Sequence, residues 1–330
     1  MPKKKFPRKG ALQFWPRKKA KSIIPRVRSY PELKDAKLNG FAGYKVGMIQ
    51  ASFTESRRNS PYKGQDIVMP VTIVECPPLR VYSIRLYSLN QDNNVVVSKE
   101  IVADNIDKIV KKTLPLPKVK KTKEQIDSIN IDDYTDIRLN VYTQPKLTTI
   151  GKKKPEVFEL AIGGSKAEKW EYAKTIIGKE IPVSDIFNEN ELVDIHAVTT
   201  GKGFQGPVKR FGVAIRGRKS EKTKRGPGSL GSWDMRGKKT WTVAHAGQTG
   251  FHLRTDINKL ILKVIKANEA KELNPKAGIE RYGLIKNDIV LLKGSLPGPR
   301  KRLVKFFTAR RPNNKLMIPA NTNVEILANF

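Results

Sequence analysis

Positive charge is concentrated in three segments of this 330-residue chain, and this distribution limits which parts of the chain can form a hydrophobic core. Residues 1–28 contain eleven Lys or Arg and no acidic residue, residues 201–240 contain twelve and two, and residues 300–315 contain seven and none. They account for +28 of the net charge of +33. The remainder is close to neutral, so we expect a globular body with three cationic attachments.

This charge predicts a polyanionic partner, because self-repulsion disfavours a compact basic protein on its own. Nucleic acid fits better than an anionic membrane, since the sequence has no run of about 18 apolar residues and no basic amphipathic helix. Cys76 is the only cysteine, which excludes an intramolecular disulfide and indicates a reducing compartment. No apolar stretch follows the N-terminal lysines as in a secretory signal, so we expect a cytoplasmic location.

Residues 1–39 are predicted to form an extended N-terminal arm. Five prolines interrupt the segment, and proline at that density prevents a helix or a central strand. Phe6, Phe14 and Trp15 lie among its cations, where aromatic rings can stack on bases beside phosphate contacts. The alternative is a tail that folds back on its own domain.

From residue 40 onward, short strands bounded by glycine and proline dominate the pattern. Strands are predicted at residues 43–49, 67–76, 81–86, 191–199, 258–267, 288–292, 303–307 and 324–327. We expect a closed or nearly closed barrel, since closure removes exposed sheet edges. The barrel core is assigned to residues 40–99 and 179–310, and residues 311–330 form a C-terminal segment.

Residues 100–178 are predicted to be an inserted α/β module. Val102, Ile106, Ile109 and Val110 are spaced as on one face of a helix. Strands are expected at residues 137–142 and 157–162, and a further helix at 166–177. The fold class is therefore mainly β with an α/β insertion.

The helix at residues 166–177 explains a glycine pair that could be mistaken for a phosphate-binding loop. Gly163 and Gly164 precede it without the spacing of a Walker or dinucleotide motif. Ser165 and Glu168 instead have the spacing of a capping box, and Gly178 follows the last apolar position. We interpret the segment as the start of a helix.

Catalytic and metal-binding patterns are not found in the sequence. His196, His245 and His252 are the only histidines, and none has metal-ligand spacing. His196 is expected to be a satisfied strand histidine, and Cys76 a packed thiol. No nucleophile, base and oxyanion site can be assembled, so we expect neither an enzyme nor a cofactor.

Residues 201–240 form the most informative segment, a basic loop with nine glycines and twelve cations. Glycine permits close approach of the backbone to a surface, and Lys and Arg neutralise phosphates along it. Residues 203–206 have the G-x-x-G form of a KH loop, but a strand precedes them and Pro207 follows. A disordered solubilising loop is the alternative, although such loops seldom contain Trp233 and Trp241.

One set of residues and segments matches the signature of a known family: Phe187, Asp194, Ala197, Thr199, Gly201, Lys202, Gly203, Gly206, Arg210, and segments 43–48, 225–233, 246–248 and 293–298. Together they resemble the universal ribosomal large-subunit protein number three, the L-three family, in its archaeal and eukaryotic branch and with an archaeal leaning. The resemblance implies a six-stranded β-barrel of the translation-protein type. It also implies a long loop that penetrates ribosomal RNA toward the peptidyl-transferase centre.

The resemblance implies binding to the 3′-terminal domain of large-subunit rRNA, early in assembly, next to other large-subunit proteins. Neither a membrane nor a small-molecule substrate is expected, and only non-specific Mg²⁺ shared with rRNA is left open as an ion. The loop apex falls on Ser232, Trp233 and Asp234. The predicted rRNA-binding residues are Lys3, Lys4, Lys5, Arg8, Lys9, Phe14, Trp15, Arg17, Lys18, Lys19, Lys202, Lys209, Arg210, Arg216, Arg218, Lys219, Lys224, Arg225, Trp233, Arg236, Lys238, Lys239, His245, Arg300, Lys301 and Arg302.

Other classes of RNA- or DNA-binding protein remain as alternatives at this point. An RNA-modification enzyme or an accessory RNA-binding factor would share the basic segments, but an enzyme needs a cofactor pocket or a catalytic constellation. A DNA-compacting protein is the third possibility, and the sequence has no helix-turn-helix, zinc finger or zipper.

Trp233 lies in the glycine-rich basic loop, where no apolar periodicity can bury it in the protein's own core. We predict that Trp233→Ala leaves the melting temperature of the purified protein nearly unchanged. Ribosomes should assemble with the variant, while tRNA accommodation or sensitivity to drugs that act at the peptidyl-transferase centre shifts, since stacking on a base contributes about 1–3 kcal/mol. If Trp233 were a core residue, unfolding would instead lose about 3–5 kcal/mol.

Overall fold

The computed structural model describes residues 9–55, 57, 59–115, 117, 122–220, 222–230, 241–317 and 324–327. The chain divides into two compact units. The smaller unit comprises Met1–Ile23 and Val198–Arg254, and the larger comprises Ile24–Ala197 and Thr255–Phe330.

The described residues are mainly β, as predicted. The strands are β1 (Leu38–Asn39), β2 (Phe41–Thr54), β3 (Asp66–Glu75), β4 (Leu79–Leu89), β5 (Val95–Val102), β6 (Asp136–Tyr142), β7 (Val157–Ile162), β8 (Glu180–Ile181), β9 (Leu192–Val198), β10 (Phe204–Gln205), β11 (Gly247–Gln248), β12 (Leu253–Ile265), β13 (Ile289–Lys293), β14 (Leu303–Thr308) and β15 (Val324–Ile326). The α-helices are α1 (Thr122–Asp127), α2 (Lys166–Ile176), α3 (Pro207–Phe211) and α4 (Ala267–Ala270). Short 3₁₀ turns lie at Leu12–Phe14, Lys108–Lys112, Ile131–Asp133, Pro145–Leu147, Val183–Asp185, Lys271–Leu273 and Asn314–Leu316.

The first sheet of the larger unit has the strand order β14-β9-β12-β13-β3-β2-β15, and β14 also pairs with β2. Strand β14 is antiparallel to both neighbours, with Val304 opposite Ala197 on one side and Gly43 on the other. Inside, the Phe306 ring lies 5.8 Å from that of Phe41 and 5.4 Å from that of Phe187. Strand β14 is therefore paired along both of its edges, and Phe306 on this strand packs against other aromatic rings in the core.

The second sheet of the larger unit has the order β1-β7-β6-β4-β5, with β8 on β4. Helix α2 begins as predicted, because the Ser165 side chain accepts a hydrogen bond from the backbone N–H of Glu168 and the reciprocal bond completes the capping box. Trp170 and Ala173 are buried, and the chain turns at Gly178 with φ of 75°. This sheet extends beyond residues 100–178, because β1 (Leu38–Asn39), β4 (Leu79–Leu89) and the first part of β5 belong to it.

Most predicted strands are confirmed in position, but the helix expected from Val102 to Val110 is wrong. Strand β5 continues to Val102, which pairs with Ser83, and a 3₁₀ turn occupies Lys108–Lys112. Val110 is buried against Tyr82 and Tyr142. Val102 and Val110 therefore contact residues that are distant in sequence and do not form one face of a helix. Tertiary pairing overrides the weak local pattern here.

Two sequence interpretations of single residues agree with the structure. Cys76 is a free, buried cysteine, and burial raises the pKa of its thiol well above the usual value. His196 lies on β9, where its Nδ1 is 2.9 Å from Thr255 Oγ1 and its ring meets the Phe307 ring edge-on. Both are packed side chains, as expected.

A buried carboxylate, Glu75, fixes a loop of the larger unit against β3. It accepts hydrogen bonds from the backbone N–H groups of Lys286 (2.9 Å) and Asn287 (3.1 Å), from the Asn287 side chain (2.8 Å) and from the Tyr282 hydroxyl. Burial is the main cause that raises the pKa of the Tyr282 hydroxyl, followed by the Glu75 charge. This network satisfies a buried carboxylate with hydrogen-bond donors, as such groups require.

Lys305 on β14 is a buried cation, only 3% exposed. Its Nζ lies 3.8 Å from the centroid of the Phe158 ring on β7, a contact that favours the charged form. Burial acts in the opposite direction and lowers the pKa to about 7, although Glu159 and Glu156 raise it in part. Burial dominates, because desolvation of an ammonium costs several kcal/mol and a cation–π contact contributes about 2 kcal/mol.

We predict that Lys305→Met stabilises the protein at neutral pH. The pKa of Lys305 in the folded state is about 7, below its ordinary value, so its charge costs stability below pH 7. That cost fades as pH rises toward the unfolded pKa of about 10.4. The variant should gain about 1–4 kcal/mol in free energy of unfolding near pH 7.

The prediction for Lys305 is tested by denaturant unfolding of the wild-type protein and of the Lys305→Met variant between pH 6 and 10. The difference between variant and wild type should shrink steadily above pH 7. Lys179→Met is the control, because Lys179 is exposed, and its difference from wild type should be small at every pH. A loss of stability in Lys305→Met that does not change with pH would contradict the assignment.

Candidate nucleic-acid interface

The described part of the smaller unit, residues 9–23, 198–220, 222–230 and 241–254, contains many Lys and Arg and no Asp or Glu. Its local structure is a two-stranded ribbon in which Phe204 pairs with Gln248 and Gln205 with Gly247. Helix α3 follows directly and begins with Pro207, a residue well suited to a first turn. The G-x-x-G stretch is therefore a strand followed by a helix start, and not a KH loop.

Glycine is required where this ribbon turns back. Gly250 has φ of 72°, and a Cβ there would lie 2.0 Å from the carbonyl oxygen of Thr200. The N–H of Phe251 donates to the same carbonyl at 3.2 Å. The two backbone segments therefore pack directly against each other, which is possible because glycine has no side chain.

Aromatic rings form a small cluster in this unit. Trp15 stacks on Phe211 with centroids 5.1 Å apart, and Trp241 meets Trp15 edge-on at 5.7 Å. The Arg17 guanidinium lies 4.2 Å from the Phe211 centroid. The arm thus contacts the basic segment of its own chain through Trp15, which is the fold-back arrangement considered above.

Arg210 holds three backbone carbonyls of this unit. Its Nε donates to Gln248 O at 3.0 Å, Nη1 to His245 O at 2.9 Å and Nη2 to Arg17 O at 3.3 Å. In return, Arg17 Nη1 donates to Arg210 O at 2.6 Å. Burial lowers the pKa of both guanidinium groups, and the charge of Arg17 lowers that of Arg210 further. Two like charges are held together without an acidic partner in the described part of the unit.

His252 ties the arm to the same unit. Its Nδ1 lies 2.8 Å from Lys18 O, and since a carbonyl only accepts, Nδ1 carries the proton. Burial lowers the pKa of His252. The N–H of Ala20 also donates to Phe251 O at 2.8 Å. Lys18 and Lys19 are thereby held with their side chains exposed.

The predicted rRNA-binding residues divide into three groups. The exposed cations of the described residues are Lys9, Lys18, Lys19, Lys202, Lys209, Arg216, Arg218, Lys219, Lys224, Arg225 and Lys301. Those with partly buried side chains are Trp15, Arg17, Arg210, His245, Arg300 and Arg302. Those outside the described residues are Lys3, Lys4, Lys5, Arg8, Trp233, Arg236, Lys238 and Lys239. The other two predicted apex residues, Ser232 and Asp234, also lie outside the described residues.

The remaining predicted residue, Phe14, is exposed, and the Arg254 guanidinium lies 4.6 Å from its ring centroid. Arg300 belongs to the larger unit, where it forms an ion pair with Glu280 at 3.5 Å. Contact of these residues with RNA stays a prediction.

Two further aromatic residues of the smaller unit are exposed and are not among the predicted rRNA-binding residues. Phe204 is 78% exposed and Trp241 is 64% exposed. Both lie among glycines and cations in the smaller unit, so each presents a flat face on which a base can stack. The sequence contained a signal for Phe204 as a candidate contact, because this aromatic residue directly follows Lys202 and Gly203.

The described residues contain no cluster of three or more His, Cys, Asp or Glu side chains that could hold a metal ion. None of the helices described is long and apolar enough to cross a membrane.

A mainly β protein with a glycine-rich, cationic unit is of the class that binds nucleic acid through its basic surface. The comparison with known families is more specific, since residues 1–328 match the family described as ribosomal protein L3. The chain belongs to the ribosomal protein L3 family.

Archaeal relatives named large ribosomal subunit protein uL3 match almost the whole chain. The protein of Methanobrevibacter smithii is 46% identical over 314 residues, covering 94% of this chain and 93% of the relative. That of Methanocaldococcus jannaschii is 45% identical, with 94% and 93% covered. That of Archaeoglobus fulgidus is 42% identical, with 93% and 92% covered. The resemblance seen in the sequence motifs is confirmed.

We predict that Arg210→Lys loosens the smaller unit, because an ammonium cannot reach three carbonyls that a planar guanidinium bridges. Amide hydrogen exchange in residues 245–249 should become at least tenfold faster, about 1.4 kcal/mol. Lys209→Met is the matched control, since Lys209 is exposed and removing its charge leaves these hydrogen bonds intact. Equal exchange in both variants would show that Arg210 is not a structural link.

Proposed function

We propose that this protein is a structural constituent of the large ribosomal subunit that binds large-subunit rRNA, and that it is not an enzyme. The family match over residues 1–328 carries the proposal, and the relatives' names place those proteins in the large subunit. The smaller unit supports it physically, because its described residues expose many cations and no carboxylate. Such a surface is complementary to phosphate.

The finer features that we propose follow from the family. The six strands β14, β9, β12, β13, β3 and β2 would be a closed barrel of the translation-protein type, supported by the pairing of β14 with both β9 and β2. The basic loop, residues 201–240, would penetrate rRNA toward the peptidyl-transferase centre with its apex at Ser232, Trp233 and Asp234. The protein would bind the 3′-terminal domain of the rRNA early in assembly.

The protein would be located in cytoplasmic ribosomes, next to other large-subunit proteins. Non-specific Mg²⁺ shared with rRNA is the only ion in this proposal, and no small-molecule substrate or membrane is included. Arg210 and Arg17 would be indirect contributors, since their guanidinium groups hold the backbone that presents the exposed cations.

We predict that rRNA affinity falls steeply with salt. If roughly ten of the clustered cations contact phosphates, log K against log salt should have a slope of about −7 to −9. Deletion of residues 1–28, which removes eleven cations, should flatten the slope while the larger unit stays folded. Filter binding of purified protein to large-subunit rRNA measures both.

A slope shallower than about −3 would mean that the basic segments are not the binding surface. Sedimentation of cell extracts provides the second test. The protein should migrate with the large subunit, and migration with free substrate RNAs instead would favour a modification enzyme.

A further inference from the structure

The β4–β5 hairpin exposes a short apolar strand edge. Strand β5 is the outermost strand of its sheet, and no described residues add a strand beyond it. Val95, Val96 and Val97 are 52%, 39% and 48% exposed, and Leu89 on the adjoining end of β4 is 52% exposed. Four apolar side chains therefore lie on the surface at the end of this hairpin.

The backbone alternation identifies which groups face outward. At the turn, the N–H of Asn90 donates to Asn94 O at 2.9 Å, and Leu89 is opposite Val95 and Ser88 opposite Val96. In an antiparallel pair, hydrogen-bonded and non-hydrogen-bonded pairs alternate. Val96 therefore bonds to β4, while the N–H and C=O groups of Val95 and Val97 point away from β4 along the free edge.

The other end of β5 is covered by this chain. Thr122, at the start of α1, donates its hydroxyl to Val102 O at 2.7 Å. Between these two ends, the register shift of the β4–β5 pair leaves Ser98 without an opposite residue, since Val97 pairs with Tyr87 and Lys99 with Leu86. The free length is thus about three residues, enough for a short added strand.

The usual protections of an edge strand are charged side chains, proline and bulges. Residues 95–97 have no charge and no proline, and the extra residue of the bulge in this pair, Ser98, lies just beyond them on β5. Three adjacent β-branched residues favour extended backbone. An edge of this kind is suited to pairing with another chain.

The charge of the hairpin indicates which kind of chain. Residues 86–98 contain no Lys or Arg and one acid, Asp92, although the whole chain has 64 Lys and Arg in 330 residues. RNA contact relies on cations, so this edge does not suit RNA. A second copy of this chain is disfavoured as well, because two chains of net charge +33 repel each other.

We propose that the outer edge of β5 at residues 95–97 is a docking site for an extended segment of another protein of the large subunit, which adds a strand to the sheet. The main-chain groups of Val95 and Val97 would pair with that segment, and the valine side chains would pack on its apolar residues. This proposal rests on the proposed function, since it needs the protein in an assembled subunit.

Photo-crosslinking in assembled large subunits tests the proposal. Benzoylphenylalanine replaces Val95 in the full chain, the subunits are purified and washed with salt, and the adducts are mapped by mass spectrometry. We expect one principal adduct, in an extended segment of a single subunit protein. Adducts with rRNA alone, with a second copy of this chain, or with nothing would overturn the proposal.

The same probe at Ile215 separates this proposal from the proposed function. Ile215 is exposed in the basic segment, so its probe should form an adduct with rRNA. An rRNA adduct at Ile215 without a protein adduct at Val95 overturns the docking site alone. Absence of the protein from large subunits overturns the proposed function itself.

A backbone variant tests whether the contact is strand pairing. Val97→Pro removes an outward N–H and leaves the β4–β5 bonds in place, whereas Val97→Thr keeps the N–H and the β-branched shape. With the probe at Val95, the protein adduct should fall on the order of tenfold in Val97→Pro and be retained in Val97→Thr. Amide exchange at Ser88 and Val96 verifies that the hairpin is intact, and equal adducts in both variants would overturn strand pairing.

Discussion

Strand β14 sets the constraint on which the larger unit depends, because both of its edges and both of its faces are used. Its backbone pairs with β9 and with β2. One face directs Phe306 toward Phe41 and Phe187. The other directs Lys305 onto Phe158. A strand buried on both faces must be apolar nearly throughout, and residues 303–307 are all buried. The single cation on it, Lys305, has its Nζ 3.8 Å from the centroid of an aromatic ring.

The smaller unit is organised by a different interaction. A glycine-rich, cationic segment has too few apolar residues for a core, so its backbone polar groups need partners of another kind. Arg210 and Arg17 bond each other's carbonyls, and Arg210 also holds His245 and Gln248. Since the described residues of this unit contain no carboxylate, the same arrangement leaves its charge to be neutralised by an external polyanion.

The chain thus has two chemically different kinds of surface. Cations are concentrated in segments that suit phosphate, while the end of the β4–β5 hairpin has neither cation nor proline and exposes valines instead. The first kind of surface binds through charge and is sensitive to salt. The second binds through main-chain pairing and apolar contact, which salt affects little. A component of a particle built of RNA and protein needs both kinds.

Features that depend on neighbouring residues could be predicted from the sequence. The strands at residues 81–86 and 303–307 and the capping box of Ser165 and Glu168 were predicted correctly, because each is governed by local spacing or local hydrogen bonding. The family was also evident, since its motifs lie in contiguous stretches.

Features that depend on distant residues became evident only in the folded chain. Val102 pairs with Ser83, so the segment expected to be helical begins as a strand. Trp15 packs on Phe211, about two hundred residues away in sequence, and Lys305 is buried by a strand from the other sheet. The free edge of β5 likewise follows from its place at the end of the strand order. Local sequence patterns limit the conformations that a segment can adopt, and long-range strand pairing decides which of them forms. The reason is that burial and unpaired backbone groups are properties of the assembled sheets.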